Sequence, residues 1–530
     1  MTDVKSPGGG SPSREEVDLT RPEKMSVPVR AGWIGLYVAV AMTAFVARAY
    51  MLRFAQLTGE GTYDDAVHFS GSLALVLGEL PYRDFLFLHP PMILISLSPF
   101  AALAQLTSDS FGFAVARVAW MLLGAFNATA VARLLRPLGR LSALVGGLAY
   151  ALYFPAVYAE STTMLEGLAN TFLLAALLFL ASGRKPSRLV WAGVLLGLVP
   201  TVKIWGVVLI AAVIVWVGLT RGLRDFAATL LAAGVSCAAV MLPFFLAAPS
   251  SLWQMVIAAQ LGRPQMTSAT SADRLWAMLG LYGAPTDTQL TYTLAALTLF
   301  VAVVSLWRNR SFALAWLGVA LFLPGAVMLL ATPSFYQHYP AVIAVPFAMM
   351  VGAAVTMAPR PGHRLRWLGS LAILPLVLAW GTAQDLHDIQ SYTGRDIQFT
   401  ALRGAVATVR GCVTADDPAA LVELNVFSRN IRRACPVWID LTGHSYVDSI
   451  GGSLPRRANL SFQQQAIDYL ASGDVAIIGR DESLHYLDAA NRHLVATWPV
   501  LARSGIYTAF HVTPGRPPPV HQPNPRVHSG

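Results

Sequence analysis

The chain has 530 residues, of which 55% are hydrophobic and 13% charged, and its formal net charge is +9. A soluble protein has about a quarter charged residues, so this composition excludes an ordinary soluble fold and a disordered chain. With only 3 cysteines, a cysteine-based metal framework is excluded as well. Because most arginines lie at the ends of hydrophobic segments, where they set membrane orientation, the positive charge does not indicate nucleic-acid binding.

Residues 1–30 are rich in Pro, Gly, Ser and charged residues, which predicts a disordered cytoplasmic tail. Apolar segments long enough to be candidate bilayer-spanning helices follow this tail. The predicted spans are 33–52, 111–134, 141–158, 162–182, 189–202, 204–220, 226–247, 290–306, 311–331, 340–358 and 367–383. About eleven crossings from an inside N-terminus keep every basic connection in the cytoplasm and place the C-terminus outside.

The apolar segment from Pro90 to about Leu106 does not fit this count. It is short, it begins with two prolines and it contains Pro99. A further crossing would move two basic connections to the outer face, against the positive-inside rule. We therefore predict a re-entrant or juxtamembrane helix, with an ordinary crossing helix as the alternative.

This topology predicts an all-α polytopic domain over residues 31–384, with an outer loop at 53–110. Residues 385–513 then form a second unit on the outer face, and the Pro-rich residues 514–530 are predicted to be disordered. The membrane localisation and the bilayer as a partner follow directly from the spans.

The second unit alternates strand-like segments such as Val475–Ile478 with helical ones such as Phe462–Leu470. This alternation predicts a small extracytoplasmic α/β domain. Cys412 and Cys435 are the two cysteines outside the apolar spans. Since an exported domain meets an oxidising compartment, we predict a disulfide between them.

The outer loop concentrates ionisable side chains close to the membrane surface. They are Asp64, Asp65, His68, Glu79, Arg83, Asp84 and His89. An adjacent pair of carboxylates beside a bilayer has the chemistry of a general base, because burial and a neighbouring like charge both raise a carboxyl pKa. The alternative is an acidic turn that caps a helix beginning near Ala66, and spacing alone favours that alternative.

The order of these residues resembles the GT-C superfamily of membrane glycosyltransferases, which use polyprenyl-phosphate sugars. The motif is an acidic pair soon after the first membrane helix, then an amphipathic stretch, G-x-L-P-Y-R-D-F and a His-Pro-Pro turn, all within residues 62–91. The architecture is similar over about 33–350. The superfamily includes protein O-mannosyltransferases, lipid A aminoarabinose transferases, and actinobacterial mannosyl- and arabinosyltransferases. The resemblance implies a GT-C fold.

The resemblance also implies roles for particular residues. The acid of the first outer loop is the catalytic base or orients the acceptor, and the spacing of different members places it on Asp65 or on Asp64. Glu166 matches a turn where some members carry a further carboxylate, with a cap or surface acid as the alternative. His338 matches an outer-loop histidine beside aromatic residues, with an interfacial histidine as the alternative. The remaining active-site candidates are His68, Asp84 and His89.

Transfer from a lipid phosphate requires cations near the outer surface, because the departing phosphate gains charge. Lys203 lies in the break between two apolar segments, where an ionisable group is costly and functional by default; the alternative is a lysine that snorkels from a helix end. Arg263, in the outer loop 249–289, and Arg83 are the other phosphate-binding candidates. Their alternatives are a solvated loop arginine and an ion pair with Asp84.

These features predict a glycosyltransferase that moves a sugar from a polyprenyl-phosphate donor to an envelope glycan, glycolipid or protein acceptor on the outer face. Mannose and arabinose are favoured, because the use of Arg over Lys together with the envelope-type resemblance indicates an actinobacterial source. The sequence requires no cofactor and is compatible with a divalent metal. The alternatives are a transporter, which should show paired broken helices, and a scaffold for envelope polysaccharide assembly.

Overall fold

The computed structural model describes residues 27–52, 57–59, 61–263, 269–281, 313–354, 399–447, 455–479 and 486–512. A helical part precedes a smaller α/β part. The first helices are α1 Val27–Leu52, α2 Tyr63–Val76, α3 Met92–Leu106, α4 Asp109–Leu134, α5 Arg140–Ala151, α6 Phe154–Ser161, α7 Leu165–Ala181, α8 Pro186–Val202, α9 Gly206–Arg221 and α10 Leu223–Ala247. After α10 come α11 Pro249–Leu252, a π-helical segment Trp253–Ala258, α12 Ala259–Leu261, α13 Ser271–Met278, α14 Ala313–Ala331, a 3-10 helix Tyr339–Ile343 and α15 Ala344–Ala354.

Among the described residues, three helices are long and apolar enough to cross a membrane: Arg30–Leu52, Asp109–Leu134 and Leu223–Ala247. The pair α5 and α6, bent by 58°, is a fourth candidate. Other apolar helices are shorter than the roughly 20 residues of a full span. They are Met92–Leu106, Leu165–Ala181, Pro186–Val202, Gly206–Arg221, Trp316–Ala331 and Tyr339–Ala354. The predicted spans 290–306 and 367–383 lie outside the described residues, so the count of eleven stays a prediction.

Two boundaries differ from the sequence-based expectation. Helix α1 already begins at Val27, inside the predicted tail 1–30, because Pro28 lies in the first helical turn, where its missing N–H has no cost. The predicted span 141–158 is broken into α5 and α6, with Pro155 in the first turn of α6. A proline starts a helix readily and does not continue one, which explains the break before Pro155. The chain therefore has two such breaks among the described residues, this one and the one between α8 and α9.

Helix α3 has 15 residues, about 22 Å of length at the α-helical rise, which is less than the hydrocarbon core of a bilayer. Near its C-terminal end, Gln105 donates to Ser428 (3.1 Å), whereas Tyr63 at the start of α2 donates to Asp440 (3.0 Å). Both ends of the α2–α3 segment therefore contact the C-terminal part of the chain. This arrangement supports a segment that does not cross the membrane.

The C-terminal part contains a sheet with the strand order β1-β2-β4-β3. The strands are β1 Val413–Ala415, β2 Val475–Ile478, β3 Val500–Ser504 and β4 Tyr507–His511. The helices are α16 Thr400–Ala407, α17 Pro418–Glu423, α18 Phe427–Arg432, α19 Leu441–Val447, α20 Leu460–Leu470 and α21 Ala489–Ala496. Strands β1 and β2 are parallel, so the chain between them must cross over. The strand and helix expected at 475–478 and 462–470 are both present.

The α/β part docks on the N-terminus of α4. The Asp109 carboxylate accepts hydrogen bonds from the backbone N–H of Ser428 (2.9 Å) and from its hydroxyl (2.6 Å), and the Ser110 N–H donates to Asn425 (2.9 Å). Cys412 and Cys435 form a disulfide with Cα atoms 5.6 Å apart. This disulfide ties the start of β1 to the end of α18, the helix that carries Ser428.

A buried ion pair joins the first helix to the bent α5–α6 pair. The Arg48 Nε donates to Glu160 (2.8 Å), and both side chains are fully buried. The same carboxylate accepts from Asn127 (2.7 Å) and from the Tyr150 hydroxyl (2.7 Å). A Cβ atom at Gly124 would lie 2.0 Å from the Arg48 Nε, so only glycine fits there. At membrane depth a charge needs such complete partnering.

Arg48→Met should leave the Glu160 carboxylate buried without its cation. Breaking a buried pair from one side costs about 3–5 kcal/mol, and the free energy of unfolding in detergent should fall by about that amount. The double variant Arg48→Met with Glu160→Gln should recover a large part of the loss. A single variant that unfolds like the unmodified protein would show that the pair does not stabilise the helix bundle.

Single cysteines test the predicted orientation in a background without Cys237. Gln464→Cys, exposed on α20, should react with a membrane-impermeant thiol reagent in intact cells. Ser187→Cys, exposed in a basic connection at the start of α8, is the matched control and should react only after lysis. The opposite pattern would reverse the assignment of the two faces.

Candidate active site

Four separate segments converge where the helical part meets the α/β part. They are the start of α2, the start of α7, the break between α8 and α9, and the 3-10 helix Tyr339–Ile343. Each segment ends or begins a helix here, so polar backbone and side chains collect at one place. Some of the site residues predicted from the sequence lie in this region, and others lie outside it.

Asp65 is fully buried and has partners on both carboxylate oxygens. It forms an ion pair with Arg117 (2.8 Å) and accepts hydrogen bonds from the backbone N–H (2.8 Å) and hydroxyl (2.5 Å) of Thr163. The N-cap of α2 is Thr62, whose hydroxyl accepts from the Asp65 N–H (3.3 Å). The expectation that the acidic pair caps a helix near Ala66 is therefore wrong, since a threonine already performs that function one turn earlier.

Arg117, on α4, is a residue that the sequence analysis missed. It is fully buried and donates to the backbone carbonyls of Leu57 and Gly59, each at 2.9 Å. Its guanidinium lies 3.8 Å from the ring centroid of Phe113 and 3.8 Å from the Glu423 carboxylate of the α/β part. Arg117 thus joins the outer loop, α4 and the C-terminal part. An arginine inside an apolar span was the sequence signal for it.

Asp64 has a different environment from its neighbour. It is partly exposed, and within the described part of the chain it has no hydrogen bond or ion pair. Burial raises the pKa of the Asp64 carboxyl, opposed by the charge of His338 and reinforced by that of Asp440. A carboxylate with a raised pKa and no fixed partner accepts a proton more readily than one whose oxygens are both hydrogen-bonded.

Lys203 and Glu166 form an ion pair in the same region. The Lys203 ammonium also lies 4.5 Å from the ring centroid of Tyr339 and 4.8 Å from that of Trp205. His338 Nε2 is 3.8 Å from the same Glu166 oxygen. Lys203 is 8% exposed and Glu166 1%, so neither a snorkelling lysine nor a surface acid describes them.

A cavity opens beside this ion pair, and its walls are largely apolar. The residues that line it are Glu166, Ala169, Asn170, Leu173, Val199, Lys203, Gly206, Leu209 and Val342. The cavity is small, with room for about one water molecule, and its lining residues on α7 lie between Glu166 and Leu173. A charged end and an apolar interior are what an amphiphilic ligand requires.

Arg263 lies on the other side of Tyr339 from Lys203. It donates to the Tyr339 hydroxyl (3.1 Å), and its guanidinium lies 4.5 Å from the ring centroid of Tyr446, on α19. Two cations therefore contact one tyrosine, Lys203 on the ring face and Arg263 at the hydroxyl. Tyr339 and Tyr446 had no signal in the sequence beyond their residue type.

His68 and His89 pack beside Asp65, with ring centroids 5.7 Å apart. His68 Nδ1 donates to the Thr163 carbonyl oxygen (2.9 Å), so its Nε2 is the acceptor nitrogen. Burial lowers the pKa of both His68 and His89, which favours neutral rings.

The structure does not bring Arg83 and Asp84 into this cluster. Arg83 has a side chain that is 51% exposed and forms an ion pair with Asp84 (2.7 Å), as the alternative interpretation expected. Asp84 also accepts from the Leu80 N–H (2.8 Å) and closes a turn. Within the described ranges, no group of three or more His, Cys, Asp or Glu residues is arranged to hold a metal ion.

Glu423 is the carboxylate of the α/β part that faces Arg117. Neither of its oxygens has a hydrogen-bond partner among the described residues. Burial raises the pKa of Glu423 to about 8, against the opposing charges of Arg117 and Arg403. This contact links the docking of the two parts to protonation.

Comparisons with known proteins agree with this architecture. Residues 87–333 match the model of glycosyltransferase family 87. The crystal structure of ArnT from Cupriavidus metallidurans bound to undecaprenyl phosphate is similar with a TM-score of 0.57 and 14% identity, over 92% of this chain and 99% of that one. The apo oligosaccharyltransferase from Archaeoglobus fulgidus is similar with a TM-score of 0.56 and 12% identity, over 93% of this chain and 76% of that one. No curated protein sequence matches the chain. The resemblance to the GT-C superfamily is confirmed, with a mostly helical GT-C fold.

Glu423→Gln tests the link between protonation and docking. A carboxyl that titrates near 4.3 in the unfolded chain and at a pKa of about 8 in the folded one stabilises the protein at low pH, and this stability is lost as the pH rises towards 8. The uncharged glutamine should remove that loss. We expect a melting temperature a few degrees above that of the unmodified protein at pH 8, with a difference that shrinks towards pH 5. A difference that is independent of pH would contradict this origin.

Proposed function

We propose that this membrane protein, whose fold is that of the GT-C superfamily, is a glycosyltransferase that takes its sugar from a polyprenyl-phosphate donor. The observation that carries the proposal is the Asp64 carboxylate, which has no hydrogen bond or ion pair with a described residue. It lies in the same site as the cations Lys203 and Arg263, beside a small apolar cavity. The phosphate of such a donor needs the cations, and its prenyl chain needs the apolar surface. The lipid-bound crystal structure of the Cupriavidus metallidurans protein supports the choice of lipid.

In the proposed reaction, Asp64 accepts the proton of an acceptor hydroxyl. The hydroxyl oxygen attacks the anomeric carbon, and the bond between that carbon and the phosphate oxygen breaks. The electron pair leaves with the polyprenyl phosphate, whose growing negative charge Lys203 and Arg263 stabilise. The protein contributes orientation, proton acceptance and charge stabilisation. This chemistry uses the residues of the chain, and it is compatible with a divalent metal.

In this proposal Asp65 and Arg117 are positioning residues. Their ion pair fixes the first turn of α2, which carries Asp64. Glu166 forms an ion pair with Lys203, which favours its charged form. We therefore assign Glu166 to the phosphate end of the site and not to proton acceptance. His338, beside Glu166, belongs to the same end of the site.

For the substrates, we propose mannose or arabinose as the sugar and an envelope glycan, glycolipid or protein as the acceptor, on the outer face of the cell membrane. The α/β part borders the site through Tyr446 and Asp440, and an acceptor that reaches Asp64 would pass them. Incubation of the purified protein with polyprenyl-phosphate mannose and, separately, arabinose tests the sugar. Release of polyprenyl phosphate from one donor would identify it.

The transporter alternative has less support, although the α5–α6 bend adds a second helix break. In transporters, broken helices expose unpaired polar groups to the substrate. In α6, both carboxylate oxygens of Glu160 instead accept hydrogen bonds, which come from Arg48, Asn127 and Tyr150. The Glu160 carboxylate is therefore not free to bind a substrate.

Substitution of the two adjacent aspartates separates the base from the positioning residue. Asp64→Asn should lower the rate of transfer about 10²–10⁴-fold, since that is the usual contribution of a general base, and should leave the melting temperature unchanged. Asp65→Asn should destabilise the protein, because it leaves the buried Arg117 without its anion. Full transfer by Asp64→Asn in a folded preparation would contradict the assignment of the base.

Lys203→Met should weaken both donor binding and the departure of the phosphate. The substitution removes the cation and keeps an unbranched apolar chain in the cavity wall. We expect a rise in KM for the lipid donor together with a fall in kcat, measured with saturating acceptor. A variant with unchanged KM would place the phosphate elsewhere.

A further inference from the structure

We infer that Glu166 discriminates between the lipid donor and the lipid product, and that it weakens binding of the product more than binding of the donor. This inference rests on the proposed function, because it concerns the same phosphate site. It assigns to the carboxylate at the phosphate end of the site a function distinct from proton acceptance.

The geometry places a negative charge where the phosphate would bind. Glu166 contacts the Lys203 ammonium directly, so any anion that binds the same ammonium lies within a few Å of the carboxylate. The second oxygen of Glu166 is buried and has no hydrogen-bond partner in the part of the chain that is described. Glu166 therefore occupies a position on Lys203 that a phosphate oxygen would otherwise share.

Donor and product differ in charge at this position. The donor is a phosphodiester with a single negative charge, whereas the product is a monoester whose second proton dissociates near pH 6, which gives about −1.5 to −2 at neutral pH. The repulsion by a fixed carboxylate grows with the charge of the ligand. Glu166 thus opposes the product more strongly than the donor.

The reaction itself increases this contrast. Once Asp64 has accepted the acceptor proton, it is neutral in the product complex. Glu166 keeps its charge because Lys203 remains beside it. His338, at 3.8 Å from the same carboxylate, can only add positive charge. Among the described carboxylates, Glu166 is the one in contact with Lys203, and its charge then opposes the product.

The same ion pair explains how the site stays folded when it is empty. A buried lysine without an anion is costly, and Glu166 supplies that anion in the free protein. The cost is a weaker hold on every phosphate ligand. An enzyme that must release a lipid phosphate in each turnover gains from that weaker hold.

Equilibrium binding tests the inference without turnover. Purified protein in nanodiscs is titrated at pH 7.5 with polyprenyl phosphate and with its methyl diester, which carries the charge of the donor. Glu166→Gln should bind the monoester more tightly, and its affinity for the diester should change less. The ratio of the two Kd values should therefore shift about fivefold to tenfold in favour of the monoester. Glu166→Asp keeps the charge and should keep the original ratio. Glu79→Gln, which removes a carboxylate away from the cavity, is the control and should leave the ratio unchanged.

If Glu166→Gln does not fold, Glu166→Ser gives the same comparison with a smaller side chain. An unchanged ratio in the neutral variant, or equal tightening for both lipids, would overturn the inference and leave the proposed function intact. Failure of the unmodified protein and of Glu79→Gln to bind either lipid would instead overturn the proposed function.

Discussion

The buried ion pair between Asp65 and Arg117 is the contact on which the arrangement of the candidate site depends. It attaches the start of α2 to α4, and through Thr163 it attaches both to the α6–α7 turn. Successive residues on a helix point about 100° apart. With Asp65 fixed towards Arg117, Asp64 must point elsewhere, and it lies where the charges of Lys203 and Arg263 lower its pKa and the charge of Asp440 raises it.

Four carboxylates of the helical part, those of Asp64, Asp65, Glu160 and Glu166, divide into two groups by how completely they are bonded. Asp65 and Glu160 have partners on both oxygens, as a charge in a low-dielectric environment requires, and each joins segments distant in the chain. Asp64 has no fixed partner, and Glu166 has one free oxygen. Incomplete bonding costs stability, and a protein retains such a group where a ligand or a proton completes it. At these four residues, this contrast, more than the residue type, separates supporting residues from reacting ones.

Part of this account followed from the sequence. Hydropathy located most of the apolar helices, and the motif in residues 62–91 selected the superfamily, because both signals are local. The choice between Asp64 and Asp65 could not be made, since it depends on which of two adjacent side chains meets an arginine 52 positions away. Arg117 and Arg48 were detectable as charges inside apolar spans. The break at Pro155 was detectable too, but Tyr446 reaches the site only through the packing of the α/β part, which no local pattern predicts.

The position of the phosphate tests the central claim most directly. A cryo-electron microscopy structure of the purified protein with polyprenyl phosphate would locate it. The account predicts phosphate density in contact with the Lys203 ammonium, with the start of the prenyl chain against the apolar residues beside Lys203 and an open path from the phosphate to Asp64. Lipid phosphate bound at a site that contacts neither Lys203 nor Arg263 would contradict the account.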